Sequence, residues 1–245
     1  MIENYDSALI DSNYQEIANQ FTMFSPSQKL ILSKYFKALY ENEMFRNYYI
    51  DEMINAGLNN TEHPMFKKKS VYEINDEFGA IIQEKLFYRG LKRLDYESQL
   101  YFTNHLAMLI SMLPKKECSV AIFKDFESST EYDEIEFEKL AELPDDYLEN
   151  YFNFELKAIT AELNAYPAIR TPSKTELEYA NKAYDMKLLE KINNHPYASR
   201  IENFIDNPNS IDYEAGCEVA FITIEVLLEM EGEVQDWMMQ SIFGL

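Results

Sequence analysis

Glycine is scarce in this chain, and that scarcity limits the folds open to it. The 245 residues include only 6 Gly and 8 Pro. Sheet proteins use glycine in the tight turns of hairpins, whereas long helices joined by short turns need little of it. Apolar residues make up 47% of the chain, which is enough for a core and too much for an intrinsically disordered protein. The sequence therefore predicts an all-α globular bundle.

Start and stop signals divide the chain into about eight to ten helices. The run Ser25-Pro26-Ser27-Gln28 has the pattern of a capping box, and one helix is predicted from there towards Gly57. The most plausible strand is the short segment 118–123, and Gly232 interrupts the last helix. Other starts are predicted at Ser70, Asp95, Thr130, Pro144, either Thr171-Pro172 or Ser173, Pro196 and Ser210.

The domain organisation has two alternatives. Residues 1–245 can form a single helical domain, because a chain of this length can bury one large core. They can also form two lobes, although no low-complexity linker divides them. In that case the boundary is predicted at 114–130, between a charge-balanced amino-terminal lobe and an acidic carboxyl-terminal lobe.

The net charge of −21 comes from two stretches of the chain. Residues 125–155 contain 12 acidic residues against Lys139 alone, and residues 201–245 contain 10 acidic residues and no Lys or Arg. Elsewhere acidic and basic residues balance at 21 each. Charge of one sign attracts basic partners and repels nucleic acid and anionic membranes, so direct nucleic-acid or membrane binding is not expected.

The first acidic stretch forms a carboxylate ridge if it is helical. At 100° per residue its glutamates share one narrow arc, and apolar residues lie across from them. Like charges at these spacings cost an isolated helix about 0.2–0.5 kcal/mol per pair, so helix stability does not explain them. We expect this stretch to bind a partner through Glu127, Glu131, Glu134, Glu138, Glu142, Asp145, Asp146 and Glu149.

The second acidic stretch places carboxylates on one face of an otherwise apolar helix: Glu214, Glu218, Glu225 and Glu229. Such a row can be a ridge that faces solvent. It can also be a set of carboxylates that converge, which would repel one another unless they were protonated or bridged by Mg²⁺. Together with Glu233-x-x-Asp236, the Glu214/Glu218 pair resembles the helical carboxylate pairs of all-α nucleotide pyrophosphatases, although its ExxxE spacing differs from theirs. The resemblance implies a Mg²⁺-dependent enzyme acting on nucleotides.

Motifs for other chemistry are missing. The chain has no phosphate-binding glycine loop, no HExxH and no GxSxG. None of its three histidines stands at ligand spacing to a carboxylate, and each is expected to have a structural or surface role. Cys118 and Cys217 have neither zinc-site nor disulfide-framework spacing and are expected to be reduced thiols. No secretory signal is visible, and the longest uncharged run is too short to span a membrane, so the expected compartment is the cytoplasm.

The charge pattern favours a non-catalytic acidic protein that inhibits or regulates a basic-surfaced partner, such as a nuclease or nucleoprotein effector. Toxin-immunity proteins, antitoxins and phage anti-defence inhibitors belong to this class, and partial nucleic-acid mimicry is a special case. The first alternative is the Mg²⁺-dependent pyrophosphohydrolase-like enzyme. The second is a structural or adaptor subunit that uses its Tyr and Phe residues as an interface. The sequence does not set the oligomeric state.

Overall fold

A computed structural model describes residues 13–58, 71–120, 130–207 and 212–243. Within these ranges the chain forms twelve helices and no strand, which confirms the all-α prediction. The helices are α1 (Tyr14–Gln20), α2 (Pro26–Tyr40), α3 (Glu43–Asn55), α4 (Val71–Leu91), α5 (Tyr96–Met112), α6 (Lys115–Val120), α7 (Thr130–Ala141), α8 (Asp145–Leu163), α9 (Lys174–Asn194), α10 (Ala198–Asp206), α11 (Tyr213–Glu229) and α12 (Gly232–Ile242).

Side-chain caps start several helices where the sequence predicts them. At the start of α2 the Ser25 hydroxyl accepts the Gln28 N–H at 3.3 Å, and the Gln28 side chain accepts the Ser25 N–H at 2.9 Å. Ser173 and Glu176 form the same capping box before α9. The Asp95 carboxylate caps α5 by accepting the Ser98 N–H at 2.9 Å. Each cap satisfies backbone donors that a helix start leaves unpaired.

The described ranges hold twelve helices where eight to ten were expected, and they differ from the predicted set at four places. No start was predicted for α1, and the predicted start at Ser70 lies outside the described residues. The helix predicted from Ser25 towards Gly57 is broken, because the Asn42 side chain accepts backbone N–H groups at the start of α3. Residues 118–120 of the strand candidate lie in α6, and residues 121–123 lie outside the described ranges. Asp212 caps α11, whereas the predicted cap Ser210 lies outside the described residues.

The chain divides into two compact units that are each discontinuous in sequence. The first unit takes residues up to Leu94 and Leu143–Ile169, and the second takes Asp95–Glu142 and residues from Arg170 onwards. The stretch 114–130, where the sequence analysis places a lobe boundary, lies inside the second unit. The second unit contains 25 acidic and 10 basic residues, a net −15, and the first contains 18 and 12, a net −6.

The first unit is built on close contact between α4 and α8. Gly90 of α4 lies against the backbone of Ala158 in α8, so closely that a Cβ atom at Gly90 would stand 1.9 Å from the Ala158 carbonyl oxygen. Leu86, Leu148 and Ile159 are fully buried in this unit. Glycine is therefore the residue that lets the two helix backbones approach.

One carboxylate of the first acidic stretch lies inside this core. Glu155 of α8 is buried, and its Oε1 accepts a hydrogen bond from the Gln83 Nε2 at 2.8 Å. Burial raises the pKa of the Glu155 carboxyl above its ordinary value, and the Tyr35 and Gln83 side chains oppose that rise. Burial and the neighbouring Glu155 charge also raise the pKa of Tyr35. Glu155 therefore does not belong to the exposed acidic surface.

The second unit is organised around α11, which packs against α5, α6, α9 and α10. A Cβ atom at Gly216 would stand 2.6 Å from the Phe204 ring of α10 and 2.7 Å from Ser119 Cβ of α6. Buried apolar residues on α9, α10, α11 and α12 form one continuous cluster that includes Tyr184, Ile201 and Val226. Small residues on α11 thus set how closely its neighbours approach.

Cys118 and Cys217 form a disulfide between α6 and α11, so the expectation of reduced thiols is wrong. Their Cα atoms are 5.0 Å apart and both side chains are buried. The two cysteines are separated by 99 residues, and sequence spacing carries no signal for such a pair. The contact of α11 with α6 at Gly216, next to Cys217, brings them together.

His105 of α5 is buried in the second unit, with its ring 6.2 Å from that of Phe102. Burial lowers its pKa from 6.5 to about 4, so the unfolded state takes up a proton at higher pH than the folded state. Stability is complete above pH 6.5 and falls as the pH drops towards 4. The loss between pH 7 and pH 5 is about 2 kcal/mol.

A His105→Leu variant is expected to lose this part of the acid sensitivity. We would measure the free energy of unfolding of both proteins at pH 7 and pH 5 in urea. The other ionisable groups titrate in both, so the wild type should lose about 2 kcal/mol more than the variant. Equal losses would show that His105 is protonated as readily in the folded state as in the unfolded one.

None of the helices in the described ranges combines the length and apolar character that crossing a membrane requires.

Candidate functional site

Five of the eight carboxylates predicted to bind a partner have described side chains, and all five are exposed: Glu138, Glu142, Asp145, Asp146 and Glu149. Glu131 and Glu134 lie on α7, but their side chains are not described, and Glu127 lies outside the described residues. Glu138 and Glu142 belong to the second unit and the other three to the first. Every member of the set whose side chain the structure describes is thus exposed to solvent.

The first-unit group lies at the start of α8. Asp145 and Asp146 occupy the first turn, and the preceding Pro144 offers no side-chain cap. Carboxylates at this end of a helix interact favourably with its unpaired N–H groups and its dipole. Helix stability therefore accounts for the two aspartates in part, but it does not require them to be free of cations.

Few cations accompany these carboxylates. Glu142 is 2.6 Å from Lys139, and Glu149 lies at 3.9 Å from Lys34, a distance at which an exposed pair contributes little. Among the residues that the structure describes, Glu138, Asp145 and Asp146 have no cationic side chain within 4.0 Å. The negative charge of these three is available to a partner.

The carboxylates of α11 have cationic neighbours instead. Arg200 binds Glu214 at 2.9 Å and the cap Asp212 at 2.7 Å. Glu218 is 3.8 Å from Lys115 and 3.6 Å from His195. The hydrogen bonds of Arg200 to Asp212 and Glu214 raise the pKa of Arg200. The bond from Arg200, together with the Ala215 N–H, lowers the pKa of Asp212. This part of the row is a surface ridge held by ion pairs.

The remaining two carboxylates share one lysine. The Lys191 Nζ of α9 is 2.8 Å from Glu225 and 2.7 Å from Glu229. Burial opposes the charge of Lys191, but the bonds to both glutamates raise its pKa. Each of the four α11 carboxylates therefore has a cationic side chain of the same unit within 4.0 Å, in contrast to Glu138, Asp145 and Asp146.

The α11 carboxylates do not fit a shared Mg²⁺ site. An ammonium group already lies between Glu225 and Glu229. Glu214 is about 22 Å along the helix from Glu229, so the four carboxylates cannot converge on one ion. Across the described ranges, no three His, Cys, Asp or Glu side chains are grouped so that they could hold a metal.

A groove of about 410 Å³ runs between α9 and α11 in the second unit. Ile222 and Pro196 give it an apolar part, and Asn194 and His195 are also in its wall. Its charged lining residues are Lys187, Glu190, Lys191, Glu225 and Glu229.

Protein-family models, curated proteins and solved structures give no match to this chain. Any function must therefore be inferred from its own residues.

Sequence patterns did not predict the groove, because its lysines lie on α9 whereas the glutamates singled out in the sequence lie on α11. Lys187 and Lys191 belong to α9 and lie 38 residues before Glu225 and Glu229 of α11, respectively. A helical wheel orders residues within one helix and gives no information about which neighbouring helix faces them. An apolar helix with a row of acids beside a Lys-containing helix is the signal that could have suggested the pairing.

Proposed function

We propose that this protein is a non-catalytic binding protein that docks on a basic surface of another protein and blocks or regulates it. The proposed contacts are the carboxylates at 127–149. The observation that carries the proposal is the contrast between the two acidic stretches: the α11 carboxylates are paired with cations, whereas Glu138, Asp145 and Asp146 have none within 4.0 Å among the described residues. Unpaired surface charge steers a partner and selects it.

The chemistry of the partner follows from the same charges. A nuclease, a toxin or a nucleoprotein effector with a basic groove would complement exposed carboxylates, which supports a role in immunity, as an antitoxin or in anti-defence inhibition. A helix bearing carboxylates can imitate part of one nucleic-acid strand, because a single DNA strand carries a phosphate about every 3.4 Å. No observation on the described residues favours the Mg²⁺-dependent hydrolase.

The first test is an affinity pull-down from nuclease-treated host lysate, read by mass spectrometry. A basic protein should be recovered at about 100 mM salt and largely lost at about 500 mM, where charges are screened over a few ångströms. Recovery of no basic protein, or of one whose binding ignores salt, contradicts the proposal.

A charge-reversal variant then tests the residues. Glu138→Lys, Asp145→Lys and Asp146→Lys together should weaken the recovered complex at least about 100-fold, since reversal replaces attraction by repulsion. Glu16→Lys, Glu43→Lys and Asp51→Lys make a matched control, because these are also exposed and two of them lie in first turns of helices. Equal weakening by both triple variants would show that only net charge matters.

The compartment also belongs to this proposal. The sequence predicts cytoplasm, but the Cys118–Cys217 disulfide is a feature of oxidising environments. Both sulfurs are buried in the folded chain, so an alkylating agent is added under denaturing conditions at cell lysis to trap the thiols and decide the point. Alkylation of both cysteines supports the cytoplasm, and protection of both supports an oxidising compartment.

A further inference from the structure

Helix α9 has a second apolar face besides the one in the core. Ala180, Tyr184 and Ile192 pack into the second unit. On the opposite side, Tyr179, Met186 and Leu189 are 60%, 62% and 59% exposed. At 100° per residue these three fall within an 80° arc that also contains the exposed Lys182. They form a row of apolar side chains interrupted by this lysine, which we name the α9 stripe. Isolated exposed apolar residues are ordinary, but an aligned row marks an interaction surface.

The groove beside the stripe supplies carboxylates. Glu190 lies next to Leu189 in the sequence and lines the groove together with Glu225 and Glu229. Glu190 is exposed and has no cationic side chain within 4.0 Å among the described residues. The wall formed by Ile222 and Pro196 suits the aliphatic stem of a long side chain whose charged head reaches the carboxylates.

We infer that the α9 stripe and the adjoining groove bind an amphipathic segment of a partner protein, with its apolar side chains on the stripe and a Lys or Arg in the groove. The inference rests on the proposed function in that the partner is basic. The net charge of the second unit, −15, favours a basic segment as the occupant. A second copy of the chain is disfavoured, because each copy carries a net charge of −21 and the two would repel. Apolar contact supplies the affinity, and the groove carboxylates select the sequence.

Lys191 has a defined place in this inference. Its ammonium group holds Glu225 and Glu229 at 2.8 and 2.7 Å, where the cation of a partner would otherwise bind. An incoming Lys or Arg competes with it for these carboxylates. Removal of the Lys191 charge should therefore strengthen binding of a basic segment, whereas loss of an unrelated lysine should not.

The test uses a fluorescent synthetic peptide of about 14 residues, long enough for a helix, with Leu on one face and Arg on the other. Fluorescence anisotropy should show binding to the full chain. Met186→Ser with Leu189→Ser should weaken binding at least about tenfold. Ile205→Ser with Ile242→Ser, which removes two exposed apolar residues elsewhere in the same unit, should change it less than about twofold.

A second pair of variants tests the groove. Lys191→Met should bind the peptide about threefold or more tightly than Lys174→Met, which makes the same charge change at a residue whose side chain is 91% exposed. Equal affinities of these two variants would overturn the role of the groove. So would equal binding of a peptide in which every Leu is replaced by Gln.

Two further outcomes separate this inference from its alternatives. Self-association in sedimentation velocity that Met186→Ser with Leu189→Ser abolishes would assign the stripe to a second copy of the chain and overturn the inference. The reversal of Glu138, Asp145 and Asp146 should leave peptide binding within about twofold of the wild type. Failure of the wild-type chain to recover any salt-sensitive basic partner, with peptide binding intact, would contradict the proposed function alone. Recovery of such a partner by a chain that does not bind the peptide would contradict the inference alone.

Discussion

Replacement of Gly90 by Ala should destabilise the first unit by about 3 kcal/mol or more, at the upper end of what overpacking costs. The added Cβ atom would stand 1.9 Å from the carbonyl oxygen of Ala158 and 2.4 Å from its carbonyl carbon. Both are backbone atoms, so no side-chain rotation relieves the clash, and α4 and α8 must move apart. Urea unfolding of the variant, followed by circular dichroism, measures the loss.

Gly79→Ala provides the matched control on the same helix. Among the described residues, a Cβ atom there would meet only Tyr40 and Tyr49 side-chain atoms at 3.5 and 3.6 Å, which is ordinary contact. Alanine is the better helix former by about 0.5–1 kcal/mol, so this variant should be as stable as the wild type or slightly more so. Equal destabilisation by the two variants would contradict a specific α4–α8 contact at Gly90.

Local sequence signals predicted the helices well where one residue acts on its close neighbours. Ser25 with Gln28 and Ser173 with Glu176 form their capping boxes in the structure as the sequence indicates. These interactions span only three residues, so tertiary packing does not change them. Gly232 also begins a new helix after α11, with a φ of +62° that favours glycine.

Features that depend on distant residues could not be predicted in this way. The Gly90 contact with Ala158 joins helices 68 residues apart in the chain, and its sequence shows only an isolated glycine. The burial of Glu155 could not be predicted either. In the sequence it follows several acids that are exposed, and nothing local distinguishes it from them. A helical wheel orders side chains around one axis but does not show which faces are covered.

The two acidic stretches show that packing decides whether a row of carboxylates has cationic neighbours. Each has a row of carboxylates at helical spacing, so they look equivalent in the sequence. In the structure Arg200, Lys115 and Lys191 form ion pairs with the α11 row, whereas Asp145 and Asp146 have no such neighbours among the described residues. The candidate partner carboxylates were therefore predictable as acids at helical spacing, but neither their exposure nor their contrast with the paired row was.

Removal of the Cys118–Cys217 disulfide should destabilise the second unit by about 4 kcal/mol, because the cross-link restricts a loop of about 100 residues in the unfolded chain. A double Cys118→Ala, Cys217→Ala variant avoids the slow access of a reductant to two buried sulfurs. Hydrogen exchange read by mass spectrometry should show lost protection in α5, α6 and α9–α12.

The first unit is an internal control for this measurement, because the chain has only two cysteines and both belong to the second unit. Exchange in α2, α3 and α8 should stay as in the wild type, because the disulfide joins two helices of the second unit and its loss opens the helices packed with them. Although α8 lies between the two cysteines in the sequence, it belongs to the first unit. Intact mass of the unreduced wild type, lower than that of the reduced chain by two hydrogens, shows that the bond is present. Equal exchange of the variant and the oxidised wild type throughout the second unit would mean that helix packing alone holds α6 against α11.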